Sequence, residues 1–233
     1  MALKDSLLLA SAQLPNWSSD LIWVLRNVLP PNTHVPPSLL SSEDMIDDTR
    51  KLLMQSAEQW AADALQQSSK LILLQNRQEI DRRGLPVPAE PLKRRFYLQH
   101  ITIPKHRTAY IRLVTSNHAL AVERLRWAER RRPHIPREWR LCRFCRTEVE
   151  DEAHALLECT ASPSLVDLRA VFLAKLFQDT PSLQQSFPTA DRLQFLRTFL
   201  HRHETLPLVA KFVFQVLELY DTVDIWVPAQ YIY

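Results

Sequence analysis

The sequence predicts a mainly α-helical protein, an irregular helical bundle with a small zinc-binding module embedded in it. Three observations carry that prediction. The chain of 233 residues holds a single glycine, Gly84, beside 16 prolines. Tight hairpins and phosphate-cradling loops need backbone at positive φ, which glycine supplies most cheaply, so P-loops and dinucleotide-binding turns are excluded. Apolar residues recur at helical spacing between proline-rich connectors. The three cysteines, Cys142, Cys145 and Cys159, fall within eighteen residues, with His154 between the second and third. A chain of this length can bury a real core as one large or two small domains.

The elements follow from the breaks between them. Ser18-Ser19-Asp20 opens a short apolar segment to Leu29 that contains Trp23, and Pro30-Pro31 with Pro36-Pro37 makes a stiff linker. Ser41-Ser42-Glu43-Asp44 offers a hydroxyl cap and first-turn carboxylates, so a long helix is expected through Leu52, Leu53, Trp60, Leu65 and Leu71 toward Arg83. Gly84 ends it, and Pro86, Pro88 and Pro91 form a second linker. A third helix is expected from about Lys105 to Arg131, carrying Tyr110, Leu113, Val114, Leu120 and Ala121, and stopped by Pro133 and Pro136. Beyond Cys159, Ser162-Pro163 starts a helix with Leu165, Leu168, Val171, Phe172 and Phe177, and another spans about Asp191 to His201. The last helix, from near Pro207, is apolar almost all round and is expected to be the most buried. The domains expected are a helical region with proline-rich linkers at 1–91, an arginine-rich helix with the metal module at 92–175, and C-terminal helices packing on the module at 176–233.

Cys142, Cys145, His154 and Cys159 form a Cys-x2-Cys-x8-His-x4-Cys array. Three thiolates and one imidazole are the soft four-ligand set that zinc prefers in closed structural sites, so one structural Zn2+ is expected. Disulfide pairing would leave one of the three cysteines over. The Leu7 to Ala12 stretch, interrupted at Gln13, is too short for a secretory apolar region. No apolar run is long enough to span a bilayer, the longest being broken by Lys211, Gln215 and Glu218. An intracellular, reducing environment and no membrane partner are therefore expected.

Charge is unevenly spread. From Arg124 to Arg146 nine arginines and no lysine face Glu129 and Glu138, a net +7 in a chain whose total is +3, so the other 210 residues carry −4. Concentrated guanidinium charge beside a metal module suits phosphate, which the planar fork binds bidentately. Trp127, Trp139 and Phe144 are interleaved and suited to stacking on unpaired bases. The candidate nucleic-acid contacts are Arg124, Arg126, Arg130, Arg131, Arg132, Arg137 and Arg140, with RNA or single-stranded DNA as the partner. Two other uses compete: Arg130 to Arg132 as a solvated helix end, and arginines paired with the acidic strip Glu148, Glu150, Asp151 and Glu152. Arg140, Arg143 and Arg146 adjoin ligands and also suit countercharges to an anionic metal cluster.

No catalytic constellation is expected. Asp47-Asp48 falls in the first turns of a helix, where carboxylates are ordinary dipole partners. His201-Arg202-His203-Glu204 reads as a solvated helix end before Pro207, and Ser116 with His118 lacks a visible third partner. His118 reads as an amphipathic helix residue at the interface with the metal module.

The segments RTAYIRLVTSNHALAVERLRW at 107–127, PREWRLC at 136–142 and VEDEAHALLEC at 149–159 carry a resemblance. They look like the region following the polymerase domain in reverse transcriptases of non-LTR (LINE-type) retrotransposons, fungal ones in particular, over residues 92–175. The resemblance implies zinc ligation by Cys142, Cys145, His154 and Cys159, and a role in handling the element's RNA or DNA target. It carries no polymerase motif. The middle gap of eight residues, without glycine, departs from the short nucleocapsid-type knuckle. Val149 to Cys159 instead reads as a short helix presenting His154 with Cys159 just beyond, since ligands five apart diverge on a continuous helix. The expected function is non-catalytic nucleic-acid binding, with a separate polymerase or other protein as a second class of partner. A zinc-stabilised protein-interaction scaffold and an inactive retroelement relic are the alternatives.

Overall fold

The computed structural model describes residues 19–20, 23, 27, 43–80, 86–88, 97–129, 133–187 and 191–232. Most of the expected segment 18–29, the first proline linker, Gly84, Pro91 and Arg130 to Arg132 lie outside them. The protein is mainly helical, with one short antiparallel hairpin. It divides into two compact units, one of residues 1–67 with 90–93 and one of residues 68–89 with 94–233.

In the first unit, α1 runs from Glu43 to Gln67. Asp47 and Asp48 are exposed and pair one turn on with Arg50 at 3.3 Å and Lys51 at 3.0 Å. The helix stops well short of Arg83. Ser68 Oγ accepts from the backbone N–H of Lys70 at 3.3 Å and of Leu71 at 3.1 Å, a local turn that competes with helix continuation.

Residues 68–77 form a strap of the second unit, with a 3-10 turn at Ile72–Leu74 and Leu73 fully buried. Strands β1 (Gln78–Ile80) and β2 (Pro86–Pro88) follow as the hairpin, with Glu79 opposite Val87. Next come α2 (Tyr97–His100), α3 (Pro104–Val114) and α4 (Ala121–Arg124). The single helix expected from Lys105 to Arg131 is thus broken, and the break has a defined form. Ser116 takes a left-handed φ of 48°. Its N–H bonds Leu113 O at 3.0 Å, and the Asn117 N–H bonds Arg112 O at 2.7 Å. This is a Schellman cap with serine where glycine is usual. The left-handed backbone costs about 1–2 kcal/mol. It is offset by Ser116 Oγ, which lies 2.5 Å from Lys70 O and 3.2 Å from Glu152 Oε1.

The remaining helices are α5 (Pro163–Asp179), α6 (Pro181–Ser186), α7 (Arg192–Leu200) and α8 (Leu206–Asp221). Proline opens α3, α5, α6 and α8, where its missing N–H would be unpaired anyway. Asp191 caps α7 by accepting from the Gln194 N–H at 3.0 Å.

Helix α8 is the spine of the core, packing against α3, α5 and α7. Leu206, Val209, Phe212, Val213, Val216, Leu217 and Tyr220 are all buried on it. Phe172 of α5 stacks on Phe212 with ring centroids 4.0 Å apart, and Phe199 of α7 meets Phe172 at 5.5 Å. Tyr110 of α3 is fully buried, and its hydroxyl donates to Leu200 O at 2.7 Å. Val171, expected on the apolar face of α5, is 73% exposed.

Phe212→Ala removes a buried ring from this stack and is expected to cost about 3–5 kcal/mol. Urea unfolding of metal-loaded protein measures it. A loss below about 1 kcal/mol would show that the stack is not the core.

Candidate metal centre

The cluster is built on two short turns. Residues 140–142 and 148–150 run antiparallel: Cys142 N donates to Glu148 O at 2.8 Å and Glu150 N to Arg140 O at 2.9 Å. Between them the chain turns through Cys145. Arg146 N closes on Cys142 O at 2.8 Å, and Arg146 takes a left-handed φ of 59°. The second turn is a π-turn at His154–Glu158, closed by Cys159 N donating to His154 O at 2.9 Å. In a regular α-helix, positions five apart point about 140° away from one another. The wider turn brings His154 and Cys159 to the same point, which resolves the divergence expected of a continuous helix.

Cys142 Sγ and Cys159 Sγ are 3.7 Å apart, Cys145 Sγ is 3.4 Å from His154 Nε2, and all four donor atoms lie within 4.8 Å of one another. The cysteines are free thiols. Bonds of about 2.3 Å to sulfur and 2.0–2.1 Å to nitrogen, at tetrahedral angles, put sulfurs about 3.8 Å apart and sulfur and nitrogen about 3.6 Å apart. These two separations match those of a tetrahedral site, and the four residues lie close enough together that they could hold a metal ion.

Its electrostatics agree. Burial pushes the Cys142 thiol up to about 12, against hydrogen bonds from the N–H groups of Cys145 and Phe144 and from the Tyr220 hydroxyl. Burial also pushes Cys145 up, but the Thr147 side chain and the Thr147 and Glu148 backbone outweigh it and bring that thiol down to about 6. Arg169 of α5 is buried, and its Nε donates to Leu156 O at 2.8 Å while Nη2 has no hydrogen-bond partner. Burial lowers its guanidinium, and Cys159 is the foremost opposing influence. A divalent metal with three thiolates and a neutral imidazole would carry a formal charge of −1, the sign of charge that favours a buried guanidinium nearby.

A second polar layer holds the cluster in the fold. Glu150, fully buried, accepts from Ala121 N at 2.7 Å and Arg143 N at 2.7 Å, and pairs with Arg143 Nη2 at 2.7 Å. Arg143 also donates to Tyr220 O at 2.6 Å, Val223 O at 2.8 Å and Ala119 O at 2.7 Å. Glu152 pairs with His118 Nε2 at 3.0 Å, in a turn and not on a helix face. Burial pushes the Glu152 carboxyl up, but the hydrogen bond and charge of His118 outweigh it and hold it below the usual carboxylate range. Asp151 Oδ1 accepts from the His154 N–H at 3.0 Å.

The candidate nucleic-acid contacts divide. Arg140 is a correction: it is buried, with Nε on Ile135 O at 2.9 Å, Nη1 on Val122 O at 2.8 Å and Nη2 beside His134 at 3.2 Å. It serves the interior. Arg126 pairs with Glu123 at 3.1 Å and lies over the exposed Trp127 ring at 5.6 Å. Arg137 is half exposed and pairs with Asp151 at 2.7 Å. Arg124 is exposed, as are Trp127 and Trp139. Arg130, Arg131 and Arg132 lie outside the described residues. His201, expected in a solvated helix end, is buried with Nε2 3.0 Å from Leu73 O. Sequence reasoning missed the roles of Glu150, Arg143, Tyr220 and Arg169. Only the nearness of Arg143 and the acidic strip to the ligands hinted at them.

Binding a metal at neutral pH requires Cys142 to release its proton. Affinity is therefore expected to fall about tenfold per pH unit of acidification from this group alone. The fall steepens below about 6, where Cys145 is protonated too. Zinc titrations across pH 5–8, against a competing chelator, measure the slope; a flat profile would contradict the ligand assignment.

No protein-family model, curated protein or solved structure matches this chain. Among the described residues, no helix is long and apolar enough to cross a membrane.

Proposed function

We propose that the ion is a single structural zinc and that the protein binds RNA or single-stranded DNA without chemistry of its own. The resemblance to the C-terminal region of LINE-type reverse transcriptases supports this reading and suggests a retrotransposon origin. The donor set supports zinc, since three sulfurs and an imidazole in a closed tetrahedron leave no open position for a substrate.

The observation that carries the reading is the fastening of the arginine-bearing elements to the metal turns. Arg140 ties Ile135 and Val122 together from a position two residues before the first ligand. Val122 N donates to Glu150 O at 3.1 Å, and Glu150 also takes the Ala121 N–H. A metal that orders 142–159 thereby orients α4 and the 133–140 segment, from which Arg124, Trp127, Arg137 and Trp139 face solvent. Exposed indoles beside guanidinium groups suit unpaired bases and their phosphates. The paired state of Arg126 and Arg137 favours the scaffold as a second reading, in which charge only holds elements together.

Two measurements separate these. Cys145→Ser is expected to abolish one equivalent of bound zinc and to unfold the module, since structural zinc contributes on the order of 10 kcal/mol. Replacing Arg130, Arg131 and Arg132 together by alanine is expected to weaken binding to a generic single-stranded oligonucleotide while zinc content is kept. It should also reduce the slope of log affinity against log salt by up to about 2, at about 0.7 per lost phosphate contact. Binding unchanged in that variant, or absent from the parent, would favour the scaffold.

A further inference from the structure

The outward face of α5 carries a feature that neither the metal turns nor the arginine window uses. Val171 is 73% exposed, more than any other large apolar side chain of the second unit among the described residues. Ser164, Asp167, Ala174, Lys175 and Gln178 are exposed with it. At about 100° per residue, these positions fall within about 60° of Val171 around the helix, so they form one stripe along it. Asp167 and Lys175 form no ion pair or hydrogen bond among the described residues.

The stripe borders a groove of about 830 Å3, lined by Leu168 and Val171 of α5, Leu208 and Phe212 of α8, and Ile103 just before α3. Ile103 is itself 47% exposed, so apolar surface continues beyond Val171. The charged lining residues balance, Asp167 and Glu204 against Lys175 and Lys211. Burial, then the charges of Lys105 and Lys211, lower His106 toward its neutral form, so this lining histidine adds little to the count. No net charge therefore selects a strongly acidic or strongly basic partner. The face suits a surface that is apolar at its centre and carries both signs at its edges.

The stripe has those properties itself. Asp167 lies four residues before Val171 and Lys175 four residues after it. Two α5 helices paired in parallel would set Asp167 against Asp167 and Lys175 against Lys175. Antiparallel pairing about a two-fold axis at Val171 instead sets Asp167 of each copy beside Lys175 of the other. Ser164 and Gln178, seven residues out on either side, then meet as hydroxyl and amide. Ala174 is small enough to let the second helix approach. The same axis lays the two grooves face to face, which removes their apolar walls from water. We infer that this face of α5 is a self-association surface, on which a second copy of the chain docks antiparallel. One helix face and its groove make a small interface, of the weak and transient class. The inference does not rest on the nucleic-acid reading of the metal module.

The test uses the full zinc-loaded chain in sedimentation equilibrium, at concentrations up to on the order of 1 mM. A reversible monomer–dimer equilibrium is expected. Val171→Glu is expected to weaken it about tenfold or more, with zinc content and thermal midpoint unchanged because the position is exposed. Asp167→Lys and Lys175→Asp each turn two attractive contacts into two repulsive ones, and each is expected to weaken dimerisation about tenfold. Mixed in equal amounts, these two variants regain opposite charge at both contacts and are expected to pair with each other as the parent pairs with itself. The double variant Asp167→Lys/Lys175→Asp is expected to self-associate likewise. Dimerisation that Val171→Glu leaves unchanged, or charge variants that neither weaken it nor rescue one another, would overturn the proposal. A chain that stays monomeric throughout would overturn it too, and would leave the groove to a small apolar ligand or a different protein.

Discussion

Glu150 has no solvent contact, and among the described residues the charge paired with its carboxylate is that of Arg143. Removing one partner of such a buried pair generally costs about 3–5 kcal/mol, because the survivor is stranded without water. Here the pair is also a junction. Through Arg143 it holds the last carbonyls of α8, through its backbone contacts it holds the 119–122 turn, and it sits within the first ligand turn. Cys142 and Cys159 themselves belong to the main hydrophobic cluster, and Tyr220 touches both Cys142 and the Arg143 guanidinium. The Cys/His turns and the helical core are therefore tied together, and an ion held by those turns would be felt along α8.

The same junction explains what the arginines do. The window from 124 to 146 looks uniform as a string of charges, yet its members face opposite ways. Arg140 and Arg143 are spent on carbonyls and a buried carboxylate inside the fold, while Arg124 and Arg137 lie outside with two indoles. A charge-rich segment next to a metal ligand set is thus partly mortar. The exposed remainder is what a partner can meet.

Much of this was legible in the chain, for identifiable reasons. The candidate ligand set was readable because metal chemistry demands particular donors at short spacing, and Pro163 and Pro207 announced α5 and α8, whereas α6, which Pro181 opens, was not expected. The departure from continuous helix around His154 was readable from the five-residue gap to Cys159. The breaks at Ser68 and Ser116 were not. Serine at those positions is ambiguous, and the bonds that decide Ser116 come from Lys70 and Glu152, far away in sequence. The inward turn of Arg143 was equally hidden, since its carbonyl partner Tyr220 lies 77 residues on. Sequence shows how much charge a segment carries, not which way each side chain points.

Asn76, Ser116 and Arg146 all take positive φ, and none is glycine. Each closes a different stop: the strap, α3 and the first ligand turn. The chain thus keeps its sharpest corners with residues that tolerate the left-handed region but do not prefer it. A branched aliphatic side chain at any of the three would add strain, whereas glycine would relax the backbone. At Ser116 that relief would come with loss of the hydroxyl held between Lys70 O and Glu152, so this corner alone resists change in both directions.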